Sequence, residues 1–277
     1  SDVNYAVGTL AYNPANHSLF IVGHAHQTAV AEYPIPTSGT QTVVADLPET
    51  GDPIQPFTDV LDTGGNPEGI DRITGMYVVD GALIVNGEQW YDAPGDNRDT
   101  TLVIDDADDL GGARDGYFEL TGAAHSGGYM GPIPAEWQTD FGAAHYTGWS
   151  SVYSIVSRYS VGPSLWTFDP ADVITGDASG NAQITATAFM NYAYHETHLS
   201  PGAVDYAAQG ETGPFDPADP MWNILSRGVY AFFVAGTNTF AVIGSSGGNE
   251  TGIGYKAVQD DGNLCGGPCP YGHDDSY

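Results

Sequence analysis

Residues 75–88 have the sequence GMYVVDGALIVNGE, in which a glycine opens an apolar run, a turn follows, and a second apolar run ends at polar residues. Three other stretches follow the same order: 8–24 (GTLAYNPANHSLFIVGH), 228–245 (GVYAFFVAGTNTFAVIGS) and 128–158, the last with a long insertion before its second run, SIVSR. Short runs rich in Val, Ile, Tyr, Phe and Thr between clusters of Gly, Pro, Asn and Asp are typical of β-strands. The pattern predicts a repeated pair of strands.

Two more strands are predicted after the pair in each of the first three units. The third strands begin the segments VAEYPIP (30–36), TLVIDDADDL (101–110) and LWTFDPADV (165–173), and the fourth strands are residues 42–46, 117–120 and 183–190. Four strands in each unit, recurring every ~60 to 90 residues, are typical of the blades of a β-propeller. A β-sandwich is the competing interpretation, but a sandwich need not repeat the residues at its strand ends.

The sequence therefore predicts an all-β fold, a single β-propeller domain over residues 1–277 with four-stranded antiparallel blades. The repeats are 8–74, 75–126, 127–227 with an insertion, and 228–277, which is incomplete and ends in a Gly-rich tail. With further strands beyond the visible ones, the whole fold would have about five blades. One short helix is predicted at residues 134–138, where a proline stands near the first helical position.

The charge of the chain limits its partners. Thirty-five acidic residues against six basic ones give a formal net charge of −29, and Lys256 is the one lysine. Nucleic acids are excluded as partners, because phosphate binding needs clusters of Lys and Arg. Insertion into a membrane is also excluded, because no apolar run is long enough to span a bilayer. Asp-rich turns such as residues 105–109 either bond their own backbone or bind Ca²⁺, and both alternatives stay open.

The two cysteines lie four positions apart, in the segment LCGGPCP (264–270). A disulfide between Cys265 and Cys269 is predicted, because two thiolates alone do not complete a zinc site. Disulfides persist in oxidising compartments, which favours an extracellular or surface location.

The order of strands in a propeller predicts which polar residues share a face. Loops after second strands and links between blades emerge on the same side, and six of the eight histidines map there: His24, His26, His125, His195, His198 and His273. Three equivalent strand ends carry His24, Glu88 and Arg158, so a base, a carboxylate and a cation are expected to converge near the axis. The alternative is that each side chain caps its own blade.

Two sets of candidate residues follow from this arrangement. The ligand-binding set combines polar strand ends with aromatic side chains that would stack on sugar rings or pack at blade edges: His24, His26, Glu88, Trp90, Tyr91, Tyr159 and Tyr194. The metal set, for Ca²⁺ or Zn²⁺, consists of His24, His26, Glu88, His195 and His198. His24 and His26 point the same way in an extended segment. No nucleotide-binding loop or Gly-x-Ser-x-Gly nucleophile motif is present.

The phrases LAYNPANHSLFIVGH, GPIPAEWQ and FDPAD resemble those of propeller-type proteins of marine and environmental bacteria and their phages. The chain also resembles propeller polysaccharide lyases of the ulvan-lyase kind in the spacing of His125 and His145. The resemblance covers the histidine pair, and no Tyr/Arg pair matches it. The catalytic residues predicted for such an enzyme are His125, Arg158 and Tyr192: Arg158 or a histidine would neutralise a uronate carboxylate, and His125 or a tyrosine would take the C5 proton.

Two classes of function are therefore expected. The first is a glycan-binding or structural module of an extracellular assembly, such as an adhesin, a fibre or a virion component, with glycans or neighbouring protein subunits as partners. The second is a carbohydrate-active enzyme of the polysaccharide-lyase type. Propeller folds host both classes, so the fold cannot choose between them, but the charge of −29 repels polyanionic substrates and favours the first.

Overall fold

The computed structural model describes residues 3–4, 6, 8–37, 40–92, 94–150, 160, 162–178, 182–192 and 227–245. Antiparallel β-sheet dominates these residues, which confirms the predicted all-β class. The chain forms two units. The first draws on Ser1–Trp90, Arg98–Leu120 and Asp169–Ile184, and the second on Tyr91–Asn97, Thr121–Phe168 and Thr185–Tyr277. No helix in the described ranges is long and apolar enough to cross a bilayer.

The first unit holds two sheets. Strands β1 (Leu10–Asn13), β2 (Ser18–Val22), β3 (Ala29–Pro34) and β4 (Gln55–Asp59) form one sheet in chain order. Strands β5 (Arg72–Val79), β6 (Ala82–Glu88), β7 (Asp99–Ile104) and β8 (Arg114–Leu120) form the other, and β12 (Gln183–Ile184) adds to the edge at β8 in parallel. Helix α2 (Pro170–Ile174) contacts β6 and β7.

A single apolar core joins these two sheets. Phe20, Val22 and Val30 of the first sheet belong to the same buried cluster as Leu83 and Leu102 of the second. Alternate strand residues point to opposite faces, so Ile84 and Val103, which pair with each other, face away from that cluster. Both are nevertheless buried, which explains why β6 and β7 are apolar almost throughout.

The described residues of the second unit form one sheet and one hairpin. Strands β9 (Tyr129–Pro132), β10 (His145–Gly148), β11 (Leu165–Phe168) and β13 (Ala186–Met190) form the sheet in that order. The hairpin consists of β14 (Arg227–Phe233) and β15 (Phe240–Ser245). Helix α1 (Gln138–Phe141) lies between β9 and β10. Side chains of the sheet, such as Tyr146, and of the hairpin, such as Ala231, share one buried cluster.

The structure corrects the predicted fourth strand of the first repeat. Residues 42–46 do not form a strand: Val44–Asp46 is a 3-10 helix, and Val44 is 83% exposed. The fourth strand is Gln55–Asp59, which pairs with β3. The side chain of Gln55 stabilises this pairing, because it donates a hydrogen bond to the buried Glu32 of β3. Residues 42–46 contain no amide side chain that could donate the same bond.

The third repeat also differs from its prediction. Its second strand is His145–Gly148, which lies between β9 and β11 and falls inside the supposed insertion. The predicted strand 154–158 lies outside the described residues. The predicted fourth run 183–190 is divided, because Gln183 and Ile184 pair with β8 in the first unit's sheet whereas Ala186–Met190 pair with β11. The short helix begins at Gln138 rather than at residue 134, and residues 135–137 form the turn before it.

A buried polar network fixes the loops of the first unit. Glu32 is fully buried in β3, and its carboxylate accepts hydrogen bonds from Asn13, Asn16 and Ser18 at one oxygen and from Gln55 at the other. The amides of Asn13 and Asn16 also donate to Asp108, in the turn after β7. The side chain of Gln55 bonds the backbone of Ala107 and Leu110 in the same turn. The Asp-rich turn is thus held by amide side chains from the first sheet.

Candidate functional site

Polar side chains collect at one end of the first unit's two sheets. His24 and His26 follow β2, Glu88 is the last residue of β6, and Trp90 follows it. Arg72 is the first residue of β5 and pairs with Glu88. In antiparallel sheets, the end of a second strand lies beside the start of the first, so all of these residues occupy the same end of their own sheet.

The two histidines form a close pair. His26 donates its backbone N–H to Nδ1 of His24 over 3.2 Å, and the two ring centroids are 5.5 Å apart. A turn over residues 25–27 brings them together, closed by the bond from the Gln27 N–H to the His24 carbonyl. His24 is half-buried and pairs with Ala6, whereas His26 is exposed. The turn replaces the extended segment that the sequence suggested.

Arg72 connects the histidines to Trp90. Its Nη2 lies 3.4 Å from Nδ1 of His26, and its guanidinium lies over the Trp90 ring, 5.4 Å from the centroid. Asp71 holds both residues. Its carboxylate lies 3.6 Å from Nη1 of Arg72 and accepts a hydrogen bond from the backbone N–H of Trp90 over 2.8 Å. The Arg72 side chain is 13% exposed, so the cation is held in place rather than free in solvent.

We call His24, His26, Arg72, Glu88 and Trp90 the His-Arg-Trp cluster. The sequence pattern indicated four of its members but not Arg72, because Arg72 is the first residue of a first strand and does not lie in a loop after a second strand. The register in which Arg72 opposes Glu88 was the signal that could have found it. The cluster offers ring nitrogens and a guanidinium as hydrogen-bond donors beside an indole that stacks on planar or sugar rings.

The metal prediction lacks a full ligand set in the described part of the chain. No group of three or more His, Cys, Asp and Glu side chains there is placed to hold a metal ion. The Arg72 guanidinium beside His26 also opposes a cation at that ring, since like charges repel. His195 and His198 lie outside the described residues, so Ca²⁺ or Zn²⁺ binding stays a prediction.

A second group of polar residues lies in the second unit. His125 ends the 3-10 helix Ala123–His125 that links β8 to β9, and its Nδ1 is 2.7 Å from Oδ1 of Asn191, just after β13. This contact fixes the orientation of the His125 ring. Tyr192 follows in the chain, and its N–H bonds Ser160. Burial raises the pKa of the Tyr192 phenol.

The predicted cation Arg158 lies outside the described residues, and the described part of the second unit contains another cation, Arg227. Because β10 ends at Gly148, the strand end that the sequence assigned to Arg158 is occupied by Trp149. The guanidinium of Arg227, at the start of β14, lies 5.4 Å from the centroid of the buried Trp149 ring. Ser164 connects Trp149 to His125, since its hydroxyl oxygen accepts the backbone N–H of Trp149 over 2.7 Å and its hydroxyl donates to the carbonyl oxygen of His125.

The other predicted residues are placed as follows. His145 begins β10, at the opposite end of the sheet from His125, so the predicted histidine pair is not brought together. Tyr91 is 65% exposed in a turn. The remaining predicted residues lie outside the described part of the chain: Arg158, Tyr159, Tyr194, His195, His198, His273, Cys265 and Cys269.

Comparison with known proteins identifies no relative: no protein-family model, curated protein or solved structure matches this chain. The function must therefore be argued from the residues themselves.

Proposed function

We propose that this protein is an extracellular β-propeller module that binds glycans through the His-Arg-Trp cluster. The observation that carries the proposal is the seating of Arg72 over the Trp90 indole and against His26. Such a site combines an aromatic face for a sugar ring with several fixed donors for its hydroxyl or carboxylate oxygens.

The propeller architecture is supported by the order of the strands. β1–β4 and β5–β8 each run as four-stranded antiparallel meanders in chain order, and β9, β10, β11 and β13 do the same. Blades of a propeller have this topology. We propose that these sheets and the β14–β15 hairpin are successive blades, and an experimental structure in which their first strands do not surround one axis would disprove it.

The composition supports the location and the kind of partner. One of only six basic residues in the chain lies within the cluster, although the net charge is −29. Because the chain carries so many carboxylates, we expect this cation to make a local, oriented contact with a bound ligand and not to attract polyanions over a distance. High acidity and the predicted Cys265–Cys269 disulfide both suit a secreted protein or a component of a surface assembly.

Calorimetric titration of the protein with neutral and uronate-containing oligosaccharides tests the proposal. Trp90→Ala is expected to weaken binding about tenfold or more, because it removes the aromatic face on which a sugar ring stacks. A tenfold loss corresponds to about 1.4 kcal/mol of binding free energy. Arg72→Gln is expected to weaken binding of the uronate sugars most. The matched control is Arg98→Gln, since the Arg98 side chain is 63% exposed and paired with Glu119.

The proposal fails if none of the sugars binds, or if Trp90→Ala binds as well as the unmodified protein. Thermal unfolding of each variant checks that the fold is kept. If a variant that remains folded has lost its affinity, the loss is due to the contact and not to unfolding.

A lyase of acidic polysaccharides is the second candidate, and one observation favours it. Asn191 orients the His125 ring through Nδ1, and the same segment carries Tyr192, the tyrosine of the predicted catalytic set. If the protein is such an enzyme, uronate polysaccharides will yield unsaturated ends, which absorb in the ultraviolet, and His125→Ala will abolish their release. If it is a binding module, no unsaturated product will form, and His125→Ala will at most weaken binding.

A further inference from the structure

An aromatic pocket of about 460 Å³ lies within the second unit, apart from the residues discussed above. Its walls come from helix α1 and the turn before it, from β11 and β13, and from both strands of the β14–β15 hairpin. We call it the aromatic pocket and define it by Trp137, Phe141, Phe189, Met190, Phe233 and Phe240. Since five elements and the turn before α1 line it, it is an open pocket between elements and not the face of one element.

The rings of the pocket hold one another in position. Phe141 packs against Phe189 at 4.1 Å between centroids and meets Phe233 edge to face at 5.6 Å. Phe233 is in turn 5.0 Å from Phe240. Edge-to-face and offset contacts of this kind stabilise fixed ring positions. The shape of the pocket is therefore built into the fold before any ligand arrives.

The polar atoms near the pocket already have partners. The indole N–H of Trp137 donates to the carbonyl of Thr237 over 3.4 Å. The hydroxyl of Tyr146, whose ring packs edge to face on Phe233 and Phe240, donates to the carbonyl of Ala231 over 2.6 Å. Among the described residues that line the pocket, Asn238 supplies the one side-chain amide. The described walls consequently present aromatic rings, aliphatic side chains and one side-chain amide.

Phe189 lies at the solvent-exposed side of the aromatic pocket. Its side chain is 60% exposed, although it packs against Phe141. An apolar ligand that covers this exposed aromatic side chain removes apolar surface from water. Such burial is favourable by about 25 cal/mol for each Å².

We propose that the aromatic pocket binds a small ring compound, apolar apart from one hydrogen-bonding group. The volume of about 460 Å³ is in the range of small-molecule sites. The ring walls fit a planar apolar body, and the Asn238 amide fits one hydroxyl or carbonyl. A sugar is excluded by the same chemistry, because most of its hydroxyls would lose water without gaining a partner. This site is independent of the glycan-binding proposal.

Binding of 2-naphthol, a two-ring compound with one hydroxyl, tests the inference in the full chain. We expect saturable binding, followed by ligand-observed NMR and by the fluorescence of the probe, and we expect that glucose does not displace the probe. Phe189→Ala is expected to weaken binding about fivefold to tenfold by removing one wall. Val242→Phe is expected to weaken it at least as much by filling the cavity that Val242 lines.

Tyr230→Ala is the matched control, because Tyr230 is an exposed aromatic residue of the same hairpin that does not line the pocket. It should bind 2-naphthol like the unmodified protein. The inference is overturned if 2-naphthol does not bind, if glucose competes with it, or if Phe189→Ala and Val242→Phe both bind unchanged while retaining their fold.

Discussion

Glu32 shows how one residue can depend on partners that are distant in the sequence. Its carboxylate is fully buried, and burial by itself would raise the pKa of a carboxyl. The hydrogen bonds from Gln55, Ser18, Asn16 and Asn13 outweigh that burial, so the pKa of Glu32 lies below its usual value. The charged form is therefore the one that the folded protein stabilises.

Glu32→Gln is predicted to lower the free energy of unfolding by about 2 to 4 kcal/mol at neutral pH, because it replaces a charged acceptor with an amide whose N–H₂ faces other donors. Urea unfolding measures the loss. The control is Glu49→Gln, at a fully exposed position, which should change stability by less than about 0.5 kcal/mol. Equal losses in the two variants would show that the network contributes nothing specific.

The same residue predicts a pH dependence. Because the folded pKa of Glu32 is lowered, its contribution is complete above the unfolded pKa of about 4.3 and disappears as the pH falls through the folded pKa. The difference in stability between the unmodified protein and Glu32→Gln should therefore shrink as the pH is lowered from about 6 to about 3. A difference that stays constant over this interval would contradict the assigned charge.

At the scale of the element, strand β10 depends on a glycine where strands approach closely. A Cβ on Gly148 would overlap the carbonyl oxygen of Ser164, at the start of β11. Gly128, just before β9, is equally crowded, since a Cβ there would meet the carbonyl oxygen of Gly148 and the Trp149 side chain. The third repeat can thus place its second strand at His145–Gly148 only with glycine at these contacts.

Gly148→Ala is predicted to lower the free energy of unfolding by about 2 to 3 kcal/mol, because backbone atoms of β11 must move to admit the methyl group. Gly111→Ala is the control, since its Cβ would find its nearest neighbour at an ordinary contact distance of 3.6 Å and its backbone has no left-handed strain. Urea unfolding with an unchanged slope would attribute the loss to the folded state. If both variants unfold alike, the close approach at β10 does not constrain the fold.

At the scale of the whole molecule, the net charge of −29 acts against the folded state. Like charges repel more strongly in a compact chain than in an extended one. Salt screens this repulsion, because the Debye length falls from about 30 Å at 0.01 M to about 3 Å at 1 M.

The melting temperature is accordingly predicted to rise by several degrees as NaCl increases over that range, and KCl should give the same rise. Differential scanning calorimetry measures it. A rise in about 1 mM CaCl₂ that NaCl of the same ionic strength does not give would contradict screening as the cause and would indicate a bound Ca²⁺ ion.

The amino-acid sequence by itself determined the all-β class, the acidity and most strands whose signals are local. The hairpins β5–β6 and β14–β15 and the third strands β7 and β11 were predicted because apolar runs between turn residues define them without reference to partners. His24, His26, Glu88 and Trp90 were identified for the same reason, since each follows or ends such a run.

Only the tertiary structure decided which runs pair and which cation joins the histidines. The segment that pairs with the edge of β3 is Gln55–Asp59 and not residues 42–46. The bond between Gln55 and the buried Glu32, which are 23 positions apart in the sequence, stabilises this pairing. Arg72 meets His26 across 46 positions, between two sheets that share one core, and a local pattern does not encode such a contact. Strand pairing depends on hydrogen bonds and packing between distant segments, so these contacts exist only once the chain has folded.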